Sequence, residues 1–162
     1  MTQLIDSTEL INEFLKKQFI LSITCQAKTN EDKETALWSA NCFYVTSNKR
    51  WEKTPLENPI LDLYFMSSMK TQHAKMLLSN PFVSGTIASS TREVKDIEGI
   101  QYLAKALCIN ETEKRYQELL AQYQFEFPEA KRLVQPLWQL AFYRIKYTRN
   151  SPNFGEKFLW TR

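Results

Sequence analysis

The chain of 162 residues is poor in three residue types on which common sites depend, with three glycines, three cysteines and one histidine. Scarce glycine and the lack of a GxGxxG or GxxxxGK[ST] pattern argue against a Rossmann or P-loop nucleotide site. The cysteines are odd in number and form no CxxC pair, so neither a disulfide framework nor a zinc knuckle is expected. A single histidine excludes HExxH sites and every mechanism that needs two imidazoles. We therefore expect no metal site.

Long hydrophobic runs are also missing. No apolar stretch approaches the ~20 residues of a membrane-spanning helix. The first residues, MTQLIDSTELINEF, carry acids where a signal peptide carries bases. Hydrophobic residues make up 43% and charged residues 24% of the chain, which is typical of a globular protein. We expect one domain over residues 1–162, in the cytoplasm and without a membrane partner.

The charge of the chain is small overall but unevenly placed. The net charge is +3, yet residues 131–162 hold seven basic residues against a single acid, Glu156. A basic segment of this kind serves an anionic ligand, a nucleic acid or solubility alone. Because the net charge is modest and no recognised motif is present, we do not expect a nucleic-acid partner.

Hydrophobic periodicity predicts a chain made mainly of strands. In the first strand Leu21, Ile23 and Cys25 alternate with polar residues, the period of a half-buried strand. The pattern predicts helices at 6–18, 70–79 and 110–124, a short helix after Pro128, and strands at 19–26, 37–46, 60–67, 82–89, 100–109, 136–147 and 157–160. The strands are not separated regularly by helices. The sequence therefore predicts an α+β fold, an antiparallel β-barrel with attached helices.

Several short segments carry a resemblance to a known family. In chain order they read SANCFY at 39–44, KTQHAKM at 70–76, GTI at 85–87, IEGIQ at 97–101, IKYTRN at 145–150 and FGEK at 154–157, followed by Trp160. Over nearly its whole length the chain resembles the YhbP-like family of the pyridoxamine-phosphate-oxidase-like FMN-binding split barrels. The resemblance implies a split β-barrel, an FMN cofactor and a homodimer with flavin at the subunit interface. It does not supply a reaction, because a fold hosts many functions.

The resemblance also implies a place for the cofactor phosphate. In related split barrels the phosphate lies where a strand ends and a short helix begins, and the matching residues here are Ser67, Ser68, Lys70, Thr71 and Gln72. A helix N-terminus offers free backbone N–H groups, to which hydroxyls and a lysine add donors and charge. The plainer interpretation is that Ser68 is an ordinary helix N-cap and Lys70 a solvated side chain.

The second predicted strand is the expected support for the flavin ring. Asn41 and Tyr44 point to opposite faces of it, so only one of them can meet the ring. We choose Asn41, because a buried amide needs a partner; an amide bonded to backbone at the barrel end is the alternative. Related oxidases carry a phosphate-binding Arg on this strand, whereas WSANCFYV has none. This departure implies an altered phosphate site.

Three further residues are candidates for the site: His73, Lys146 and Trp160. His73 could transfer a proton or contact a phosphate, although a lone helix histidine is more often a surface or capping residue. Lys146 shares a face of the last long strand with Arg144, where the two could meet an anionic ligand or the other subunit. Trp160 and the other tryptophans are interpreted as core or interface anchors. The cysteines are interpreted as inert small hydrophobes.

Two functions remain open at this point. The first is an FMN-dependent oxidoreductase acting on a small molecule, in which the flavin carries the chemistry. The second is a non-enzymatic module that binds haem, flavin or another anionic ligand, which the missing arginine favours.

Overall fold

The computed structural model describes residues 7–28, 36–47, 59–133 and 135–162. The elements in these ranges are α1 (Ser7–Lys17), β1 (Ile20–Gln26), β2 (Leu37–Thr46), β3 (Leu63–Met66), α2 (Gln72–Ser79), β4 (Phe82–Ala88), a 3₁₀ turn (Val94–Asp96), β5 (Glu98–Cys108), α3 (Lys114–Glu126), a second 3₁₀ turn (Pro128–Arg132), β6 (Leu137–Arg149) and β7 (Glu156–Thr161). Asp6, the first residue of the first predicted helix, lies outside the described residues.

Six strands of the described chain close into an antiparallel barrel. They are neighbours in the order β3-β2-β1-β4-β5-β6, and β3 pairs again with β6 to close the ring. The last strand, β7, extends the sheet beyond β6. This arrangement confirms the α+β barrel that hydrophobic periodicity predicts. None of the described helices is long and apolar enough to cross a membrane.

The barrel interior is filled by the alternate residues of each strand. On β1, Leu21, Ile23 and Cys25 are buried, as their period of two predicts, and the hydroxyl residues between them face outwards. Trp138 stacks on Phe65 with ring centroids 6.2 Å apart, in the centre of this core. The tryptophans divide between two environments. Trp138 and Trp160 are buried, Trp38 is 45% exposed, and Trp51 lies outside the described residues.

Three elements begin two or more residues later than predicted, each for a local reason. β3 begins at Leu63 and not at residue 60, because the backbone N–H of Leu61 donates to Asn12 Oδ1 of α1 over 2.9 Å. α2 begins at Gln72, because Thr71 and not Ser68 is its N-cap. α3 begins at Lys114, because residues 110–113 form a turn closed by the Asn110 N–H and the Glu113 carboxylate at 3.2 Å.

A buried polar chain fixes α3 against the barrel. Arg115 of α3 donates to Gln139 Oε1 of β6 over 2.8 Å, and the Gln139 amide donates to Asp62 Oδ2 over 2.7 Å. Arg115 also pairs with Glu113 at 2.8 Å. At its other end the helix is held to β2, where Gln122 donates to the Thr46 carbonyl. These bonds matter for function because α3 forms one wall of the largest described pocket.

Candidate functional site

The largest described pocket lies between β2, the junction of β3 with α2, and the end of α3. It has a volume of about 690 Å³, within the usual range for small-molecule sites. We call it the α2–α3 pocket, and its main lining residues are Asn41, Phe43, Ser67, Ser68, His73 and Phe127. Helices and strands that are distant in sequence thus build one concave surface.

Ser67 is held firmly at the inner edge of the pocket. Its N–H donates to the Pro136 carbonyl over 3.0 Å, and its carbonyl accepts the indole N–H of Trp138 at 3.2 Å. The side chain is buried, with 7% of the residue exposed. Because the backbone is tied to Pro136, just before β6, and to Trp138 of β6, Ser67 is held in a fixed position in the pocket lining.

His73 joins Ser67 through a short hydrogen bond. The His73 Nε2 lies 2.5 Å from Ser67 Oγ and 3.3 Å from Thr71 Oγ1. The Thr71 hydroxyl hydrogen is already given to the Ser68 carbonyl at 2.8 Å, while its oxygen accepts the Ala74 N–H as the N-cap of α2. Thr71 can therefore only accept a hydrogen from the ring, whereas Ser67 can donate or accept, and the ring tautomer decides the direction of the short bond. When Nε2 carries the proton, the Ser67 hydroxyl hydrogen is available to Thr71 Oγ1, 3.4 Å away, or to a ligand in the pocket.

The imidazole of His73 is neutral at physiological pH. Burial lowers its pKa below the ordinary histidine value. His73 is the second residue of α2. It is half-buried and lines the pocket. The residue thus offers a neutral nitrogen ligand or a hydrogen-bonding group beside the Ser67 hydroxyl.

Aromatic side chains form the opposite wall. The rings of Phe43 and Phe127 are 5.0 Å apart, and Tyr123 lies 5.1 Å from Phe127. The Tyr123 hydroxyl donates to the Phe43 carbonyl over 3.1 Å, which ties α3 to β2 at this point. Burial raises the pKa of Tyr123 to about 12, so the phenol stays protonated and keeps this bond. A flat apolar ring would meet matching surfaces here.

The charge of the pocket lining is negative. Glu126 and Glu129 line its rim and are exposed, whereas no Lys or Arg of the described residues does so. Cys42 also lines the pocket, and burial raises its pKa to about 11, so it is a thiol and not a thiolate. Cys25, inside the barrel, is raised to about 11 in the same way, by burial and then by the nearby Cys42. These thiols fit the packing role predicted for the cysteines.

The structure separates the residues that the sequence analysis named. Asn41, Ser67, Ser68 and His73 meet in the α2–α3 pocket. Thr71, the N-cap of α2, contacts His73 from outside the lining. Lys70 and Gln72, on either side of Thr71 in the chain, do not line the pocket.

Two of the other named residues lie far from this group. Lys146 lines a different hollow, and Trp160 lies in the core opposite Ile145. Tyr44 is next to Phe43 on β2 but does not line the pocket, because it is buried and donates to the Leu15 carbonyl over 2.7 Å.

The wall contributed by α3 is the part that sequence reasoning missed. Tyr123 and Phe127 are four residues apart, the spacing that places two side chains on one helix face. That spacing marks an aromatic pair, but it does not indicate which surface the pair covers. The buried Arg115 was missed as well, although a base within an apolar helix face signals a buried partner.

Relatives in curated sequence collections cover almost the entire chain. A UPF0306 protein of Yersinia pseudotuberculosis is 32% identical over 157 residues, covering 97% of this chain and 95% of that protein. A UPF0306 protein of Yersinia enterocolitica is 33% identical over 159 residues, with the same coverage. No family model matches the chain.

Solved structures share the fold at low sequence identity. HutZ, the haem storage protein from Vibrio cholerae, has a TM-score of 0.61 at 15% identity, covering 94% of this chain and 92% of that one. A haem-binding protein from Mycobacterium smegmatis has a TM-score of 0.68 at 14% identity, covering 96% and 58%. An FAD-binding protein from Mesorhizobium loti has a TM-score of 0.62 at 9% identity, covering 86% and 90%. The solved structures share the split-barrel fold of this chain. Because its UPF0306 relatives are 32–33% identical over 97% of its length, the chain belongs to the UPF0306 family.

Proposed function

We propose that the α2–α3 pocket holds a planar, anionic cofactor, with FMN as the first candidate, and that the protein is an FMN-dependent oxidoreductase acting on a small molecule. The observation that carries the proposal is one pocket of about 690 Å³ that has an aromatic wall on one side and the polar side chains of Ser67, Ser68 and His73 on the other. The haem-binding and FAD-binding neighbours of this fold support a ligand of that class.

The residues of the pocket fit the two halves of FMN differently. Phe43 and Phe127 offer apolar surface to the ring, and the exposed Asn41 amide can bond to its polar edge. The hydroxyls of Ser67 and Ser68, with the first N–H groups of α2, offer neutral donors to the phosphate. Lys70 lies exposed two residues before the helix and adds a charge near that end.

The flavin and the protein would contribute different parts of the reaction. A bound flavin would supply hydride and electron transfer. The chain would bind and orient it, and the neutral His73 and protonated Tyr123 would remain hydrogen-bonding groups. We also propose that the protein is of the YhbP-like type, acts in the cytoplasm as a single domain, and has no nucleic-acid partner.

A titration of FMN with matched lysine variants tests the proposal. We expect quenching of flavin fluorescence by the wild type, and about threefold weaker binding by Lys70→Ala, because an exposed charge contributes up to ~1 kcal/mol. Lys95→Ala removes the same charge from the exposed 3₁₀ turn between β4 and β5 and should bind as the wild type does. Absence of saturable FMN binding by the wild type would overturn the flavin proposal.

Haem is the second candidate, and His73 is the observation that favours it. A neutral imidazole binds a metal ion through its unprotonated nitrogen, and His73 lines the pocket, where coordination by Nε2 would replace its contact with Ser67. If the pocket binds haem through this residue, the wild type shifts the haem Soret band and His73→Ala does not. Identical spectra for the two proteins would exclude His73 as the ligand.

We further propose a homodimer, as the family resemblance implies. Several large apolar side chains on β2 or beside it are exposed, including Phe19, Trp38 and Phe43 at 54%, 45% and 49%. Burying such a patch in a symmetric pair is favourable, and two copies of one surface can do so. Light scattering should return twice the chain mass of 19.1 kDa, and a value of one chain mass at micromolar concentration would refute the dimer.

A further inference from the structure

A second hollow lies on the outer face of the sheet and shares no lining residue with the α2–α3 pocket, although its Ser22 pairs with Asn41 of that pocket across β1 and β2. It spans β1, β4, β5, β6 and β7 and has a volume of about 450 Å³. We call it the outer-face hollow, and its polar lining includes Ser22, Thr24, Ser84, Thr86, Arg144 and Lys146. None of these residues belongs to the site described above.

The hydroxyls of this hollow retain hydrogens that can be donated to a ligand. Ser22 Oγ and Thr86 Oγ1 are 2.8 Å apart, and Ser22 Oγ also accepts the backbone N–H of Thr86 at 2.9 Å. The pair owns two hydroxyl hydrogens and uses one between them, so one is left whichever residue donates. Thr24 and Ser39 form a similar pair at 2.8 Å. Ser84, which is exposed, adds a third donor.

Two cations line the same hollow, and no ion pair with a described carboxylate holds either of them. Arg144 and Lys146 are two residues apart on β6, so their side chains share a face. Within the part of the chain that the structure describes, neither lies within 4 Å of a carboxylate. Other basic side chains here are paired, since Arg115 contacts Glu113 at 2.8 Å and Arg149 contacts Glu156 at 2.7 Å.

The surroundings of these cations are free of acids as well. The described lining of the hollow contains no Asp or Glu. Lys146 is half-buried between Gln101 of β5 and Leu159 of β7, its partners in the sheet register. A partly desolvated cation without a counter-charge is unfavourable, and an anion in the hollow would relieve that cost.

We propose that the outer-face hollow binds a small molecule through a phosphate group. A phosphate offers several strong acceptor oxygens, which suit the hydroxyl donors from β1 and β4 together with the guanidinium fork of Arg144. The volume leaves room for a small organic body beside the phosphate. A second copy of the chain is a poor occupant, because a two-fold contact here would bring like charges together.

Calorimetric titration with inorganic pyrophosphate tests this assignment. We expect saturable binding by the wild type and about tenfold weaker binding by Arg144→Gln and by Lys146→Gln, as loss of a charge-assisted contact predicts. Lys157→Gln removes an equal charge from an exposed residue of β7 outside the lining, and should leave the affinity unchanged. Equal weakening by Lys157→Gln would show a general charge effect and overturn the site.

The same titration separates this site from the proposed cofactor pocket. Pyrophosphate should bind equally to protein with and without saturating FMN, because the two hollows share no lining residue. Competition between the two ligands would place pyrophosphate in the α2–α3 pocket and refute the outer site. Absence of saturable pyrophosphate binding by the wild type below ~10 mM would also refute the site, whether the protein is a monomer or a dimer.

Discussion

The α2–α3 pocket and the outer-face hollow carry opposite chemistry on one barrel. The pocket is lined by aromatic rings and by two exposed carboxylates, Glu126 and Glu129, with no base among its described lining residues. The hollow is lined by hydroxyls and two bases, with no acid among its described lining residues. From this difference we expect the first surface to select a ligand by its ring and the second to select one by its charge.

The two surfaces also differ in how they are built. The hollow is a single sheet face whose residues are set by strand alternation and register. The pocket gathers β2, the start of α2 and the end of α3, and depends on the buried bonds that hold α3 in place. A substitution that disrupts the sheet should therefore lower the stability of the whole molecule, whereas one in the aromatic wall should weaken the binding of one ligand.

The largest expected effect comes from Gly85→Ala, beneath the outer-face hollow. A Cβ at this position would lie 2.1 Å from the Ser22 carbonyl oxygen and 2.4 Å from the Tyr102 hydroxyl. Those two atoms form a 2.6 Å hydrogen bond across Gly85, so the methyl group has no room. We expect the free energy of unfolding to fall by about 3 kcal/mol in urea denaturation.

Gly155→Ala is the matched control for that substitution. Gly155 has φ of 70° but no atom within 4 Å of a Cβ, so only backbone strain opposes the change. The expected loss is about 1 kcal/mol. Equal losses for the two variants would show that the contact between β1, β4 and β5 is not as close as described.

Phe127→Ala should weaken binding of the planar cofactor about tenfold and leave pyrophosphate binding unchanged, because an aromatic contact of this kind contributes roughly 1.5 kcal/mol. Phe127 lies beside Phe43 and Tyr123 in the pocket wall. Phe125→Ala removes the same side chain from the same segment at a position 81% exposed. The prediction fails if both variants bind FMN equally well.

Salt should act much more strongly on the outer-face hollow than on the α2–α3 pocket. Raising ionic strength from ~0.05 to ~0.5 M screens exposed charges, which weakens pyrophosphate binding at Arg144 and Lys146 by about fivefold. At the pocket the same change screens both the attraction of Lys70 for FMN and the repulsion from the carboxylates of Glu126 and Glu129. FMN affinity should therefore change little, and a fall matching that of pyrophosphate would contradict the charge contrast.

The smallest expected effect is the pH dependence that His73 gives to stability. Its pKa is lowered in the folded protein, so the unfolded chain binds the proton more readily. Stability should fall as the pH drops from ~6.5 towards the lower folded pKa, and should level off below it. The chain has no other histidine, so His73→Gln should remove this step from denaturation curves measured between these pH values.

The sequence alone predicts the barrel well, because its signals are local. Alternation in Leu21, Ile23 and Cys25 predicts the buried face of β1, and residue spacing places Arg144 and Lys146 on one face of β6. The contact between Ser67 and His73 is harder to predict from the sequence, because it depends on Thr71, and not Ser68, being the N-cap of α2.

The aromatic wall was the hardest part to predict from sequence. Periodicity marks Tyr123 and Phe127 as one helix face, but the surface that this face covers is decided by packing between distant elements. The bonds from Arg115 to Gln139 and from Tyr123 to the Phe43 carbonyl span 24 and 80 residues. Contacts of that range leave no local pattern in the chain.

One titration tests the central claim, that the α2–α3 pocket is the cofactor site, most directly. It compares two serine-to-alanine variants, one in each surface: Ser67→Ala in the pocket and Ser84→Ala in the hollow. With FMN, measured by flavin fluorescence, Ser67→Ala should bind about tenfold more weakly than the wild type, as loss of a hydrogen bond to a charged group predicts, and Ser84→Ala should bind equally well. Wild-type affinity in Ser67→Ala, or weaker binding in Ser84→Ala alone, would contradict the account.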